Sequence, residues 1–375
     1  MVPLYAVYSL LFTAHGLSVG EVSSLFVVWS VTSFLCEVPS GAWADTVDRR
    51  LLLVLSALVY AAGFAAWMLF PHYLGFAAGF VLWGLSSAMM SGTFESLLYG
   101  ELVARHAETQ YPRIVGWAHS AAMTANLVAT VSAAPLLGLG GFPLVGWTSV
   151  VIALVQALLA ATLPTSPHRQ AEDADTGSVT ETGGLGYVAM LRAGLHEAAT
   201  AVDVRNTVLI AALVVGLSAF DEYFPLLAKA HGVDVTMVPW LVGLAVLGQV
   251  IGTALAGRTA GMSPRTMAAV VTGAAVLLSG GALLPPMVGF VAIALGYGLL
   301  NNAMVASGAR LQGVIRGPGR ATVTSVLGFG EEIVALTVYG AVAGGTQLVS
   351  VPVVVALLCL PLLVVAVLIR RLLPA

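Results

Sequence analysis

Twelve apolar runs, most of them about 20 residues long, constrain this chain more than any other feature of its sequence. A helix needs a run of that length to cross a bilayer. Of the 375 residues only 9% are charged and 59% are hydrophobic, which is more apolar surface than a soluble core could bury. We therefore predict an all-α polytopic membrane protein with twelve transmembrane helices. These spans lie near residues 1–15, 21–44, 51–70, 74–100, 113–137, 144–163, 206–229, 236–257, 266–284, 287–309, 321–344 and 349–369.

The first span is the shortest of the twelve. As a helix, residues 1–15 would reach about 22 Å, whereas the hydrocarbon core is about 30 Å thick. We therefore expect this helix to be truncated on its N-terminal side, with Met1 in the middle of a helix of a longer product.

The arginines predict the orientation of the spans. Fourteen of the fifteen basic residues follow even-numbered spans, and only Lys229 lies on the other side. By the positive-inside rule, the arginine side is cytoplasmic, which places both termini in the cytoplasm. These residues are Arg49, Arg50, Arg105, Arg113, Arg169, Arg192, Arg205, Arg258, Arg265, Arg310, Arg316, Arg320, Arg370 and Arg371.

A polar segment divides the spans six and six. We predict an N-terminal six-helix bundle at 1–163, a cytoplasmic linker at 164–203 and a C-terminal six-helix bundle at 204–375. Acidic residues among Ser, Thr and Gly favour a flexible first part of the linker. Apolar residues at helical spacing in 185–199 predict a short amphipathic helix, which lies on the membrane surface or serves as a plain tether.

The two halves are faintly similar, as in an internal duplication. Residues 37–45 match 249–257 at an offset of 212 positions. In the same way Ser91-Gly92 of span 4 matches Ser307-Gly308 of span 10. Together with the six-linker-six plan, these matches favour a duplicated bundle.

Ionisable residues inside the spans are the candidates for chemistry. A charge at mid-bilayer costs at least about 2.5–3.5 kcal/mol, so such groups face protein or a water-filled cavity. Spans 3, 6, 9 and 12 contain none, which predicts a polar pathway lined by the other helices. The intramembrane acids and histidine are Glu37, Glu95, His119, Asp221, Glu222, Glu331 and Glu332.

Depth separates these candidates. Glu37, Glu95 and His119 fall in the inner third of the bilayer and could form one cluster, whereas Glu331 lies near the midplane. Asp221 and Glu222 lie in the outer half, just before a proline that should kink span 7. Because neighbouring helical residues point about 100° apart, at most one member of each adjacent acid pair readily faces a cavity.

Each candidate has a structural alternative. Glu95 binds a proton or substrate, or hydrogen bonds to a neighbouring helix. Glu37 lies so close to the turn after span 2 that holding helices together is the favoured role, and a lone His119 is more often a packing residue. The amides that could bind substrate, or equally bond helix to helix, are Asn126, Asn301 and Asn302.

The connection between spans 2 and 3 is the most specific stretch. It reads Gly41-Ala42-Trp43-Ala44-Asp45-Thr46-Val47-Asp48-Arg49-Arg50. This stretch resembles the signature of the major facilitator superfamily of secondary transporters, and span count, linker and orientation extend the resemblance over the whole chain. It implies two six-helix bundles and a cytoplasmic gating latch formed by Gly41, Asp45, Arg49 and Arg50. The chain departs from the signature in two places, since Thr46 replaces an arginine and Asp48 a glycine.

Further motifs favour one subgroup. The Glu-x-Pro-Ser-Gly of 37–41 is similar to bacterial members of efflux type, which implies the plasma membrane of a bacterium. The antiporter signature at the end of span 5 is half matched by Ala134-Pro135 and Gly140-Gly141. Span 4 lacks the arginine that the family commonly carries there for proton coupling.

We therefore predict a secondary transporter that works by alternating access and exports a small amphipathic or drug-like compound in exchange for protons. An acidic cavity without fixed positive charge suits cationic or neutral substrates. The first alternative is a proton-coupled importer of a small metabolite on the same fold, and the second is a non-transporting sensor or scaffold.

The expected partners are a small-molecule substrate, protons and the lipid bilayer, with the chain acting as a monomer. A net charge of -3 gives no indication of nucleic-acid binding. The sequence contains no metal-ligand spacing, nucleotide loop or nucleophile elbow, so we expect no cofactor and no enzymatic activity.

Overall fold

The computed structural model describes residues 1–164, 187–259, 261–317 and 320–373, with the backbone alone at 37–46, 187–191, 193 and 321. All regular elements in these residues are helical. Short 3-10 helices occupy Pro3–Ala6, Glu108–Gln110 and Ser218–Tyr223. The α-helices are α1 (Tyr8–Ala14), α2 (Val19–Thr46), α3 (Arg49–Leu69), α4 (Tyr73–Met90), α5 (Thr93–Ala104), α6 (Tyr111–Ala161), α7 (Tyr187–Thr200), α8 (Val202–Leu217), α9 (Phe224–Ala230), α10 (Val238–Thr259), α11 (Pro264–Leu283), α12 (Pro286–Val314), α13 (Arg320–Gly345), α14 (Val351–Cys359) and α15 (Pro361–Leu372).

These helices confirm the predicted twelve-span plan. Ten segments of the described residues are long and apolar enough to cross a membrane. One of them, Glu108–Ala161, contains both span 5 and span 6. The short first span adds the remaining helix, as the 3-10 turn Pro3–Ala6 followed by α1.

The chain divides into two compact units. The first contains Met1–Tyr5, Ala14–Gly16 and Leu25–Gly184, and the second contains Ala6–Thr13, Leu17–Ser24 and Leu185–Ala375. Most of α1 and the beginning of α2 therefore pack with the second unit, although the sequence assigns both to the N-terminal bundle. The predicted bundle boundaries remain a prediction.

In the first unit, α3 packs against α4 and α6. Ser56 of α3 and Ser86 of α4 donate hydrogen bonds to each other's carbonyl oxygens, at 3.1 and 2.9 Å. Reciprocal serine bonds of this kind hold membrane helices together where lipid offers no hydrophobic driving force.

In the second unit, α10 and α12 approach so closely that their backbones touch. A Cβ on Gly252 would overlap the carbonyl group of Gly298, and only hydrogen atoms fit there. Glycine-rich spans are typical of close helix packing, and the glycines of spans 8 and 10 have that role here.

Several spans are broken at residues that explain the break. Gly92 adopts a φ of 67°, which favours glycine, and it separates α4 from α5. Its predicted counterpart in the repeat, Gly308, continues the helix of α12. The break expected between spans 5 and 6 at 138–143 falls inside α6, at Gly140 (φ −153°) and Gly141 (φ 62°), where the backbone is not helical.

The linker helix α7 docks on the second unit through small residues. Gly194 and Ala198 are buried, whereas Leu195 is 47% exposed. Ala198 joins Val204, Leu311 and Val323 in one apolar cluster. These contacts favour the tether interpretation of the linker helix.

Candidate functional site

The break in span 7 positions two carboxylates. Pro225 has no N–H, so it cannot bond to the carbonyl oxygen of Asp221 as a continuous helix would require. The N–H of Phe224 bonds to that carbonyl instead, and residues 218–223 form a 3-10 turn. The predicted kink before Pro225 is therefore confirmed, and the tighter turn carries Asp221 and Glu222.

The two acids accept hydrogen bonds from tyrosine hydroxyl groups on different helices. The hydroxyl of Tyr297 on α12 donates to Oδ2 of Asp221, and the hydroxyl of Tyr8 on α1 donates to Oε2 of Glu222. Both tyrosines are buried, and both acids are partly buried. Because adjacent residues of a helical turn point in different directions, each acid meets its own tyrosine.

Two further tyrosines extend this arrangement. The hydroxyl of Tyr223 donates to Oγ of Ser23 at 2.7 Å, and its ring lies 6.4 Å from the ring of Tyr339 on α13. Tyr339 is 3% exposed and lies within electrostatic range of Asp221 and Glu222. We call Asp221, Glu222, Tyr8, Tyr223, Tyr297 and Tyr339 the acid–tyrosine cluster; all six belong to the second unit.

Helix α13 brings the second acid pair near the cluster. Glu332 lies two helical turns before Tyr339, on the same face of α13, and interacts with it electrostatically. The backbone of Glu331 packs against α8, since a Cβ on Gly216 would lie 2.6 Å from its carbonyl oxygen. The sequence favoured Glu331 of this pair as a site residue, whereas in the structure its neighbour Glu332 interacts with Tyr339 of the cluster.

Phenol and carboxylate groups together make a site that can hold a proton. An ionised carboxylate only accepts hydrogen bonds, and a phenol supplies the donor that stabilises it. A protonated carboxyl can donate as well, so the same partners accommodate both charge states. The sequence places no lysine or arginine in the middle of the spans to neutralise these acids permanently.

Among the described side chains of the first unit, no hydrogen bond joins the candidate residues into one cluster. Glu95 is partly buried in the first turn of α5, and its carboxylate makes no hydrogen bond within the described chain. His119 is exposed on α6, and Asn126 is partly buried there. The side chain of Glu37 lies outside the described residues.

The two amides of α12 serve helix structure. Asn301 donates to the carbonyl oxygen of Tyr297 one turn earlier, at 2.9 Å. Asn302 donates to the carbonyl oxygen of Gly252 at 3.1 Å and exchanges hydrogen bonds with Thr259. Asn302 thus follows the helix-to-helix alternative, linking α12 to α10.

At the turn between α2 and α3, two charged residues of the motif, Asp48 and Arg50, have local hydrogen-bond partners. Asp48 caps α3 by accepting a hydrogen bond from the N–H of Leu51 at 2.9 Å. Arg50 donates to the carbonyl oxygen of Leu163, just after α6, at 3.3 Å. Arg49 is partly buried in the first turn of α3. The structure describes only the backbone of Gly41 and Asp45, so the latch stays a prediction.

Sequence comparison identifies the family. The family model described as Major Facilitator Superfamily matches residues 2–351. The chain belongs to the major facilitator superfamily. It is therefore a multi-pass membrane protein of a transporter family, and not of an enzyme family. No curated protein matches it in sequence.

Solved structures of other membrane transporters share this fold. A nucleoside transporter, NupG, is 13% identical and aligns with a TM-score of 0.74 over 98% of this chain and 94% of its own. A D-xylose–proton symporter is 15% identical, with a TM-score of 0.65 over 98% and 92%. A bacterial homologue of the human lysosomal transporter Spinster, also 15% identical, gives 0.65 over 99% and 90%. These relatives do not support the efflux-type subgroup that the sequence favoured.

The sequence did not assign a chemical function to the tyrosines. The sequence indicates core or interface packing for Tyr8 and Tyr223. It contains no pattern that would assign Tyr297 or Tyr339 to a site. A tyrosine within an apolar span is usually packing. The available signal was the acid pair before Pro225, which requires polar partners from other helices.

Proposed function

We propose that this superfamily member is a proton-coupled secondary transporter that imports a small, polar, uncharged or cationic solute. The coupling proton binds at Asp221 and Glu222, and the solute binds in reach of the same tyrosines. Alternating access then carries both across the membrane.

The acid–tyrosine cluster is the observation that carries this proposal. Coupling requires an intramembrane group that is stable with and without its proton. Hydroxyl donors from α1 and α12 supply that stability to acids on span 7. A proton bound here changes the hydrogen bonds between three helices, so protonation is tied to helix arrangement.

Import is favoured over export by two considerations. The relatives in the same fold include a D-xylose–proton symporter and a nucleoside transporter, whose names describe polar solutes. Phenol and carboxylate groups also suit hydroxyl-bearing solutes better than amphipathic drugs, because hydrophobic compounds gain little from them. The export alternative rests on the half-matched motif of Pro135 and Gly140-Gly141, where the structure shows a helix that breaks at the two glycines.

Proteoliposomes with a trapped pH-sensitive dye test coupling and direction together. D-xylose, uridine and the amphipathic cation ethidium are added outside vesicles that contain the purified chain. Symport of a sugar or nucleoside acidifies the lumen, which is the expected result. Alkalinisation on addition of ethidium would instead establish antiport and contradict the proposal.

Two controls define the signal. Glu101→Gln changes an acid that pairs with Arg105 on α5, outside the cluster, and should leave the proton signal unchanged. Vesicles without protein give the passive leak. Solute entry without any change in luminal pH would reject proton coupling while leaving transport intact.

A further inference from the structure

The predicted cytoplasmic ends of α8 and α15 are joined by one hydrogen bond. Nδ2 of Asn206 donates to the carbonyl oxygen of Leu372 at 3.2 Å. This contact brings together the helix ends that carry Arg205 on α8 and Arg370 and Arg371 on α15. All three arginines are exposed, and within the described chain none of their guanidinium groups makes a hydrogen bond or ion pair.

Each helix presents an outward apolar stripe next to these arginines. On α15, Leu363, Val364 and Val367 are exposed at helical spacing and lead to Arg370 and Arg371. On α8, exposed Val202 and Leu209 flank Arg205. Exposed apolar side chains on a membrane helix face acyl chains, so the arginines lie where those chains meet their headgroups.

We infer that the seam between α8 and α15 binds a phospholipid with an anionic headgroup. The three guanidinium groups bind the headgroup phosphate through paired N–H donors, which match phosphate oxygens in geometry. The acyl chains lie along the two apolar stripes. Exposed Asp203 contributes one opposing charge, and the three arginines leave the site positive.

A lipid fits this seam better than a soluble phosphate. A soluble anion would use the arginines alone, whereas the seam offers apolar contact over several helical turns. The site lies on the second unit only and does not depend on the direction of transport or on the coupling ion.

Native mass spectrometry of the full chain tests the inference. The detergent-purified protein is titrated with phosphatidylglycerol or with phosphatidylcholine of the same acyl chains. We expect wild type to retain phosphatidylglycerol at least fivefold better than phosphatidylcholine. The triple variant Arg205→Gln, Arg370→Gln, Arg371→Gln should lose that preference.

A matched triple variant separates a site from general charge. Arg113, Arg192 and Arg258 are also exposed, and changing all three to Gln removes the same charge elsewhere. This control should keep the fivefold preference. An equal loss in both triple variants would overturn the inference, because it would indicate unspecific attraction. Displacement of the lipid by inorganic phosphate at equal concentration would overturn it as well, in favour of a soluble anion.

Discussion

Asp48 departs from the family signature and has a local structural role at the start of α3. The superfamily usually has glycine at this position, whereas here the carboxylate accepts the N–H of Leu51 and caps α3. A carboxylate at a helix N-terminus also interacts favourably with the helix dipole. The departure therefore supports the helix whose first turn carries Arg49 and Arg50.

We expect Asp48→Ala to lower the free energy of unfolding by about 1 kcal/mol, the usual effect of removing an N-cap. The loss should appear in thermal unfolding of the detergent-purified protein. Asp48→Asn keeps an oxygen that can accept the same bond and should remain near wild type. Equal loss in both variants would show that the charge, and not the cap, supports α3.

At the scale of elements, prolines and glycines decide where the spans break. Pro225 predicted the kink of span 7, because a proline has no N–H for the helical hydrogen bond to the residue four positions earlier. Gly92 did not predict a helix break, because a glycine can continue a helix as well as end one. Gly308, at the matching repeat position, stays helical. The two positions show that a glycine permits a break in a helix without requiring one.

Among its described side chains, the linker helix α7 makes a polar contact with the turn after α12 through Glu197. Oε1 of Glu197 accepts hydrogen bonds from the N–H groups of Arg316 and Gly317, at 2.9 and 3.0 Å, in the turn after α12. Its described apolar contact is small, through Ala198. A helix of 14 residues is marginal alone in water, where the threshold is about 12–15 residues.

We expect Glu197→Ala to loosen α7, because among its described side chains only small Ala198 then remains in the apolar contact. Hydrogen–deuterium exchange of the full chain should speed up roughly tenfold at 192–200 and 312–317 together, since losing a charge-assisted bond costs about 1.5–3 kcal/mol. Glu197→Gln retains an acceptor and should exchange much more slowly than the Ala variant. Unchanged protection of α7 in the Ala variant would show that apolar packing alone docks it. Arg192→Ala, an exposed change on the same helix, is the control.

At the scale of the whole molecule, the sequence predicted what depends on local patterns. Span positions, the kink at Pro225 and glycine-mediated packing follow from hydrophobicity and backbone chemistry. The partners of the acids could not be predicted, because Tyr297 lies 76 positions from Asp221 and Tyr8 lies 214 positions from Glu222. Such pairings require the helix arrangement, which no local pattern encodes.

The central claim is that the acid–tyrosine cluster binds the coupling proton. Its most direct test compares proton-driven accumulation with solute counterflow in proteoliposomes, using the solute that gives the largest wild-type signal among D-xylose and uridine. Asp221→Asn cannot release a proton, so accumulation should fall to the protein-free level while counterflow, which needs no net proton movement, persists. Accumulation by Asp221→Asn and by Glu222→Gln at the wild-type rate would contradict the account.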